Sequence, residues 1–218
     1  MQTAVSLTPE PLRGERFNTL SHAAALVLSL AGGVHLLVRT VEGGHASKVV
    51  GAAVFVAVMV LLYAASVLYH GTSGRCKRAW QRADHASIFL LIAGTCTPFA
   101  LSEAAAPWQQ TMFAAVWLMA LSGVVREWRS ADGTAPSLAR YLAMGWLGVL
   151  AAVPIAAGHA GATLAWLLIG GLCYSAGTIW YRNPKGRPHA HGIWHLFVFA
   201  GTACHLVAMH TLLIPAQT

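Results

Sequence analysis

The stretch VVGAAVFVAVMVLLYAASVLYH, from Val49 to His70, is 22 residues long and contains no Asp, Glu, Lys or Arg. A bilayer core about 30 Å thick requires roughly 20 apolar residues in a helix that rises about 1.5 Å per residue. The stretch is therefore long enough to cross a membrane as a single helix. Its only histidine, His70, is its last residue.

Seven apolar windows of this kind follow one another along the 218 residues of the chain. Only 10% of the residues are charged, whereas a soluble domain has about 25%. The connections are too short for a separate soluble domain. We therefore predict an all-α membrane protein, a seven-transmembrane-helix bundle forming a single domain over 17–214, after a short leader over 1–16. The windows run over 17–38, 49–69, 83–101, 108–125, 138–157, 162–181 and 192–214.

The basic residues predict how this bundle is oriented. Cytoplasmic loops of membrane proteins carry an excess of Lys and Arg. Of the 14 basic residues, 11 lie before the first window or in the second, fourth and sixth connections, and a twelfth, Arg140, lies just past the fourth connection. Only Arg39 and Lys48 lie in the first connection. The N-terminus and leader are therefore predicted to be cytoplasmic and the C-terminus outside. The net charge of +7 suits contact with membrane lipids, and no nucleic-acid recognition motif accompanies it.

Ionisable residues inside the windows indicate a functional site. Each costs about 2.5 to 3.5 kcal/mol at mid-membrane, so each needs a partner or a function. His70 directly follows the second window, Asp84 opens the third, and His191 and His195 lie at the start of the seventh. In the predicted topology all of these ends face the cytoplasm, so the side chains should form one polar layer. The start of the first window adds three more members to this layer: Glu15, Asn18 and His22.

Spacing within the layer suggests metal chemistry. His191 and His195 are four residues apart, so both imidazoles project from one helix face. With His70 from another helix they would supply three nitrogens and leave a position open for water, as at a catalytic zinc. Asp84 could accept a proton from that water. Ser66, one turn before His70, could bond a neighbouring group or a substrate carbonyl.

Simpler interpretations exist for each of these residues. The two histidines of the seventh window could hydrogen-bond lipid headgroups, Ser66 could be a helix-packing hydroxyl, and Asp84 could cap a helix N-terminus. A nearby carboxylate also tolerates iron or manganese as well as zinc. His205 lies fourteen residues beyond His191, which places it about 21 Å deeper and excludes it from the same metal. Glu15, Asn18, His22 and His205 receive no assigned role.

The pattern resembles the haemolysin III family, bacterial relatives of the progestin and adiponectin receptors. The resemblance extends from Glu15 to about Met209. Its motifs are ERFNTLSH over 15–22, SVLYH over 66–70, DHASIFLLIAGTCTPF over 84–99 and HGIWHLFVFAGTACH over 191–205.

This resemblance implies seven spans in the inner (plasma) membrane and a zinc ion held by the histidines matching His70, His191 and His195. It also implies a zinc-bound water contacted by the aspartate matching Asp84. The wider family resembles ceramidases, which makes a zinc-dependent hydrolase of lipid amides the leading hypothesis, with a lipid substrate entering from the cytoplasmic leaflet. The alternative is a non-enzymatic regulator of membrane homeostasis with a structural zinc, and a pore-forming haemolysin ranks third. No oligomeric state is predicted.

Overall fold

Seven α-helices make up the part of the chain that the structure describes. The structure is a computed structural model that describes residues 14–102, 104–130, 137–158 and 161–214, so most of the leader predicted over 1–16 lies outside it. A single 3-10 turn, Gly74–Cys76, joins the second and third helices. The helices are α1 (Glu15–Glu42), α2 (Ala46–Gly71), α3 (Lys77–Ala100), α4 (Pro107–Arg129), α5 (Leu138–Gly158), α6 (Gly161–Arg182) and α7 (Ala190–Leu213).

Each predicted window coincides with one helix, and most helices extend beyond their window. The largest difference is at α3, which begins at Lys77, six residues before the window. The apolar run marks only the part of a helix that suits the bilayer core, whereas the backbone hydrogen bonds continue through the basic turn that precedes it. Asp84 therefore lies two turns inside α3, which excludes the interpretation of Asp84 as an N-terminal cap.

Five of the seven helices are long and apolar enough to cross a membrane: α1, α2, α5, α6 and α7. The other two, α3 and α4, carry more polar side chains. Asp84 and His85 lie within α3, and Gln109, Gln110 and Glu127 lie within α4. The architecture is thus a helical membrane bundle.

The helices pack mainly on their neighbours in sequence, and α7 packs against α1 as well as α6, which closes the bundle. Leu36, Phe55, Met59, Phe89 and Val116 are buried in its core. Large apolar side chains cover the outside, as suits contact with lipid rather than water: Leu20, Val27, Leu118, Leu150 and Ile179 are each more than half exposed.

Candidate metal centre

Three histidines from two helices meet inside one end of the bundle. His70 occupies the last turn of α2, and His191 and His195 occupy the first two turns of α7. One ring nitrogen of each lies within 4.8 Å of the others, a grouping that could hold a metal ion. The ring centroid of His70 lies 5.1 Å from that of His191 and 5.0 Å from that of His195. The convergence predicted from depth and spacing is therefore present in the fold.

The Nε2 atoms of these three histidines share an unusual property. All three are buried, and none has a hydrogen-bond partner among the residues that the structure describes. An unpaired buried polar atom costs about 1 to 3 kcal/mol, and here three such atoms belong to histidines that are grouped at one place. Imidazole nitrogen is a preferred ligand of zinc, commonly in sets of three at catalytic sites. The donor set and its unpaired atoms therefore fit a zinc ion bound by His70, His191 and His195.

The Nδ1 atoms of two of these histidines are held by α1. His70 Nδ1 lies 2.5 Å from Glu15 Oε2. His195 Nδ1 lies 3.2 Å from the Asn18 carbonyl oxygen and 3.2 Å from Ser21 Oγ. The sequence predicted Glu15 and Asn18 as members of the polar layer but assigned them no specific role. Their spacing of three residues, continued by His22 four residues later, places one polar face on α1, and this was the signal available in the sequence.

Asp84 and Ser66, the two predicted catalytic residues, are both buried beside the histidines. The Asp84 carboxylate interacts with the Ser66 hydroxyl and with His70 and His85. Ser66 Oγ also lies 2.7 Å from His22 Nδ1. Ser66 is thus hydrogen-bonded to polar groups of the site, beyond any contribution it makes to helix packing.

His22 is a fourth histidine at this site. Its ring stacks on that of His195, with centroids 3.6 Å apart and an interplanar angle of 12°, and it meets Tyr63 edge-on. Its Nε2 is buried without a hydrogen-bond partner in the described part of the chain. His22 therefore belongs to the polar layer as predicted, although it lies outside the three-histidine group.

An apolar cavity of about 130 Å³ adjoins the polar layer. Asp84 and His22 line it at the end near the histidines, and Phe99 and His205 line it at greater depth. His205 is buried, and its Nε2 donates to the Leu167 carbonyl oxygen at 3.2 Å. As predicted from its depth, His205 stands apart from the metal-binding group.

A second polar cluster joins α3, α4 and α5 next to the site. His85 Nδ1 lies 3.0 Å from Glu127 Oε1, and both side chains are largely buried. The Tyr141 hydroxyl donates to the His85 carbonyl oxygen at 2.9 Å. These bonds tie the beginning of α3, and with it Asp84, to two further helices.

A bundle of apolar membrane helices with a buried three-histidine group beside a lipophilic cavity defines an integral membrane protein with a candidate metal centre. Residues 12–206 match the family model described as Haemolysin-III related. The chain is 36% identical over 194 residues to a hemolysin-3 homolog of Bacillus subtilis (strain 168), covering 88% of this chain and 91% of the relative. It is 33% identical over 214 residues to hemolysin-3 of Bacillus cereus, covering 95% of each.

A more distant similarity is to the human monocyte to macrophage differentiation factor, at 26% identity over 164 residues, which cover 72% of this chain and 68% of that protein. The extent of the family match and the two Bacillus relatives show that the chain belongs to the haemolysin III family. It is a multi-pass protein of the inner (plasma) membrane.

Proposed function

We propose that this protein is a zinc-dependent membrane hydrolase that cleaves lipid amides. One observation carries the proposal: one ring nitrogen of each of His70, His191 and His195 lies within 4.8 Å of the others, beside a buried aspartate that lines an apolar cavity. The Nε2 atoms of these histidines are buried and have no hydrogen-bond partner among the described residues. Three protein ligands with an open position are typical of catalytic zinc, whereas structural sites have four. Within the described residues, the group contains three candidate ligands.

The residues around the histidines supply the functions that hydrolysis requires. Zinc at this position would acidify a bound water and polarise a carbonyl oxygen. Asp84, which is buried and lines the cavity, accepts the proton of the attacking water and returns it to the leaving amine. Ser66 interacts with Asp84 and lies 2.7 Å from His22 Nδ1, so it holds the carboxylate in position.

The lining of the cavity, whose volume is about 130 Å³, suits part of an acyl chain. Asp84 and Phe99 line it at positions fifteen residues apart on α3, which corresponds to about 22 Å along a helix. That length is most of the thickness of a bilayer core of about 30 Å. Most of the lining surface is apolar, and the polar groups besides Asp84, His22 and His205 include those of Thr95, Tyr141, Tyr174 and Thr178. A lipid amide would place its carbonyl at the polar end and its chain among α3, α5, α6 and α7.

We also propose that all seven helices span the membrane as one domain over 17–214, with the N-terminus cytoplasmic and the C-terminus outside. Helices α3 and α4 pack on α2 and α5, which are apolar enough to span, so their polar residues can face protein instead of lipid. The metal centre then lies at the cytoplasmic side.

The accessibility of Cys76, which is exposed between α2 and α3, tests this orientation. A membrane-impermeant maleimide should label Cys76 in inside-out vesicles and leave it unlabelled in intact cells. Labelling from outside would reverse the proposed topology.

The enzymatic proposal is tested by zinc content and by turnover. Purified protein should contain about one equivalent of zinc, and the double variant His191→Ala, His195→Ala should lose it. Release of fatty acid from a panel of ceramides and other lipid amides should be abolished by Asp84→Asn. A suitable control is Glu42→Gln, on the exposed end of α1, which should retain wild-type rates.

Two results would contradict the hydrolase hypothesis. Zinc retention in the double variant would show that the ion is held elsewhere. Zinc binding without turnover of any lipid amide by the wild type would favour the alternative function, a regulator of membrane homeostasis in which the zinc is structural.

A further inference from the structure

The polar face of α1 contacts two of the three candidate metal ligands, His70 and His195, through their Nδ1 atoms. We infer that α1 positions the metal ligands: the Glu15 carboxylate and the Asn18 carbonyl hold His70 and His195 in the tautomer that presents an unprotonated Nε2. The inference rests on the metal centre proposed above and adds to it a helix that contributes no ligand.

Glu15 determines the state of the His70 ring. An ionised carboxylate only accepts hydrogen bonds, so the 2.5 Å contact with His70 Nδ1 requires the proton on Nδ1. In a neutral imidazole the other nitrogen, Nε2, then carries the lone pair that a metal needs. The His70 Nε2 is the buried atom that lacks a protein partner. The ring is thus set to bind with its inner nitrogen.

The Glu15 carboxylate is itself held from the opposite side. Lys77 Nζ donates to Glu15 Oε1 at 3.1 Å, and the same ammonium group donates to the carbonyl oxygens of Tyr69 and Thr72 at 3.1 and 3.3 Å. The two carboxylate oxygens therefore connect the start of α1 with the end of α2 and the start of α3. A carboxylate held at both oxygens limits rotation of the His70 ring, because the ring cannot turn without breaking its Nδ1 bond.

The Asn18 carbonyl acts in the same way on His195. A carbonyl oxygen is an acceptor only, so its 3.2 Å contact places the proton on His195 Nδ1. Ser21 Oγ lies 3.2 Å from the same nitrogen and donates its own hydrogen to the Asn18 carbonyl at 2.9 Å. The serine oxygen is therefore left as a second acceptor for Nδ1. Again the unpaired nitrogen is the buried Nε2.

Two candidate ligands on different helices, His70 on α2 and His195 on α7, are thus oriented by the first two turns of α1. Hydrogen-bond partners of this kind orient metal-binding histidines and raise their basicity, and removing one typically costs 10- to 100-fold in metal affinity. Glu15 is the member of the set whose side chain can be changed without altering a ligand. Asn18 acts through its backbone, so substitution of its side chain would not test the contact.

The test compares Glu15→Gln with Glu42→Gln in the full-length protein. Both glutamates lie on α1 and both are ion-paired, but Glu42 pairs with Arg39 on the exposed opposite end of the helix. Zinc Kd is measured by competition with a chromophoric chelator, and the visible absorption of bound Co²⁺ reports the geometry at the three histidines. We expect Glu15→Gln to raise the zinc Kd about 10-fold or more and to change the Co²⁺ bands, and Glu42→Gln to match the wild type.

A wild-type Kd together with an unchanged Co²⁺ spectrum in Glu15→Gln would overturn the inference and leave the metal centre intact. Failure of the wild-type protein to bind zinc would instead refute the metal centre. A purely structural role for Glu15 predicts a lower unfolding midpoint of the metal-free variant with a normal Kd. Measuring Kd well below that midpoint therefore separates the two roles even if the variant is less stable.

Discussion

Substitution of Gly123 by alanine tests how tightly α4 is packed against α3. A Cβ atom at this position would lie 2.7 Å from three atoms of the Phe89 ring, Cδ1, Cε1 and Cζ, whereas ordinary contact begins at 3.4 Å. The ring would have to recede by about 0.7 Å to restore that contact. It has little room to do so, because Phe89 is only 1% exposed and its ring centroid lies 4.5 Å from that of Tyr141 on α5.

The expected loss of stability follows from two opposing effects. Overpacking a well-packed core costs about 1 to 3 kcal/mol, while alanine is favoured over glycine inside a helix by up to about 1 kcal/mol. The difference is a net destabilisation of up to about 2 kcal/mol. Gly145 on α5 is the matched control, since a Cβ there has no neighbour within 4 Å. Gly145→Ala should therefore be neutral or stabilising by up to about 1 kcal/mol.

Reversible unfolding in mixed micelles, followed by circular dichroism as the fraction of a denaturing detergent increases, measures both variants against the wild type. Gly123→Ala should unfold at a lower detergent fraction and Gly145→Ala at an equal or higher one. Equal stability of the two variants would refute the close approach of α4 to Phe89, and with it the packing that holds the Asp84 segment of α3 in place.

Three further predictions concern the polar groups. Free zinc at 100 times its Kd should raise the free energy of unfolding by about 2.7 kcal/mol, and calorimetry should show no such rise in His70→Ala. Glu127→Ala removes the buried partner of His85 and should lower the free energy of unfolding by about 1.5 to 3 kcal/mol. Glu42→Ala breaks an exposed pair and should lower it by less than about 1 kcal/mol. Similar losses of stability for both variants in micelle unfolding would contradict the difference in burial. Tyr141→Phe removes the bond to the His85 carbonyl and should cost about 1 kcal/mol, so a melting temperature equal to that of wild type would show that the bond is unimportant.

The helices and the metal-binding group could be predicted because both depend on short-range patterns. An apolar run of about 20 residues suits only a helix in a bilayer, and all seven predicted windows are helical. His191 and His195 share a face because of their spacing alone. Their meeting with His70 followed from placing the window ends at one level. The exact starts of the helices were less predictable, as α3 shows, because polar turns can continue a helix beyond the apolar run.

The role of α1 could not be predicted in the same way. Glu15, Asn18 and His22 were recognised as members of the polar layer, yet nothing in their spacing indicates which histidine each one contacts. That assignment depends on α1 packing against both α2 and α7, a long-range arrangement. The same holds for the pairing of His85 with Glu127, since α4 carries the glutamate to a histidine 42 residues away.

Sequence by itself determined the class of protein, the number and order of its helices, and the residues of the polar layer. It could do so because the bilayer imposes the same length and polarity on each helix regardless of its neighbours. Only the tertiary structure decided which nitrogen of His70 and His195 is held by α1 and which is left unpaired, and that an apolar cavity lies beside Asp84. Those features depend on how side chains from separate helices fill the space between them, to within an ångström.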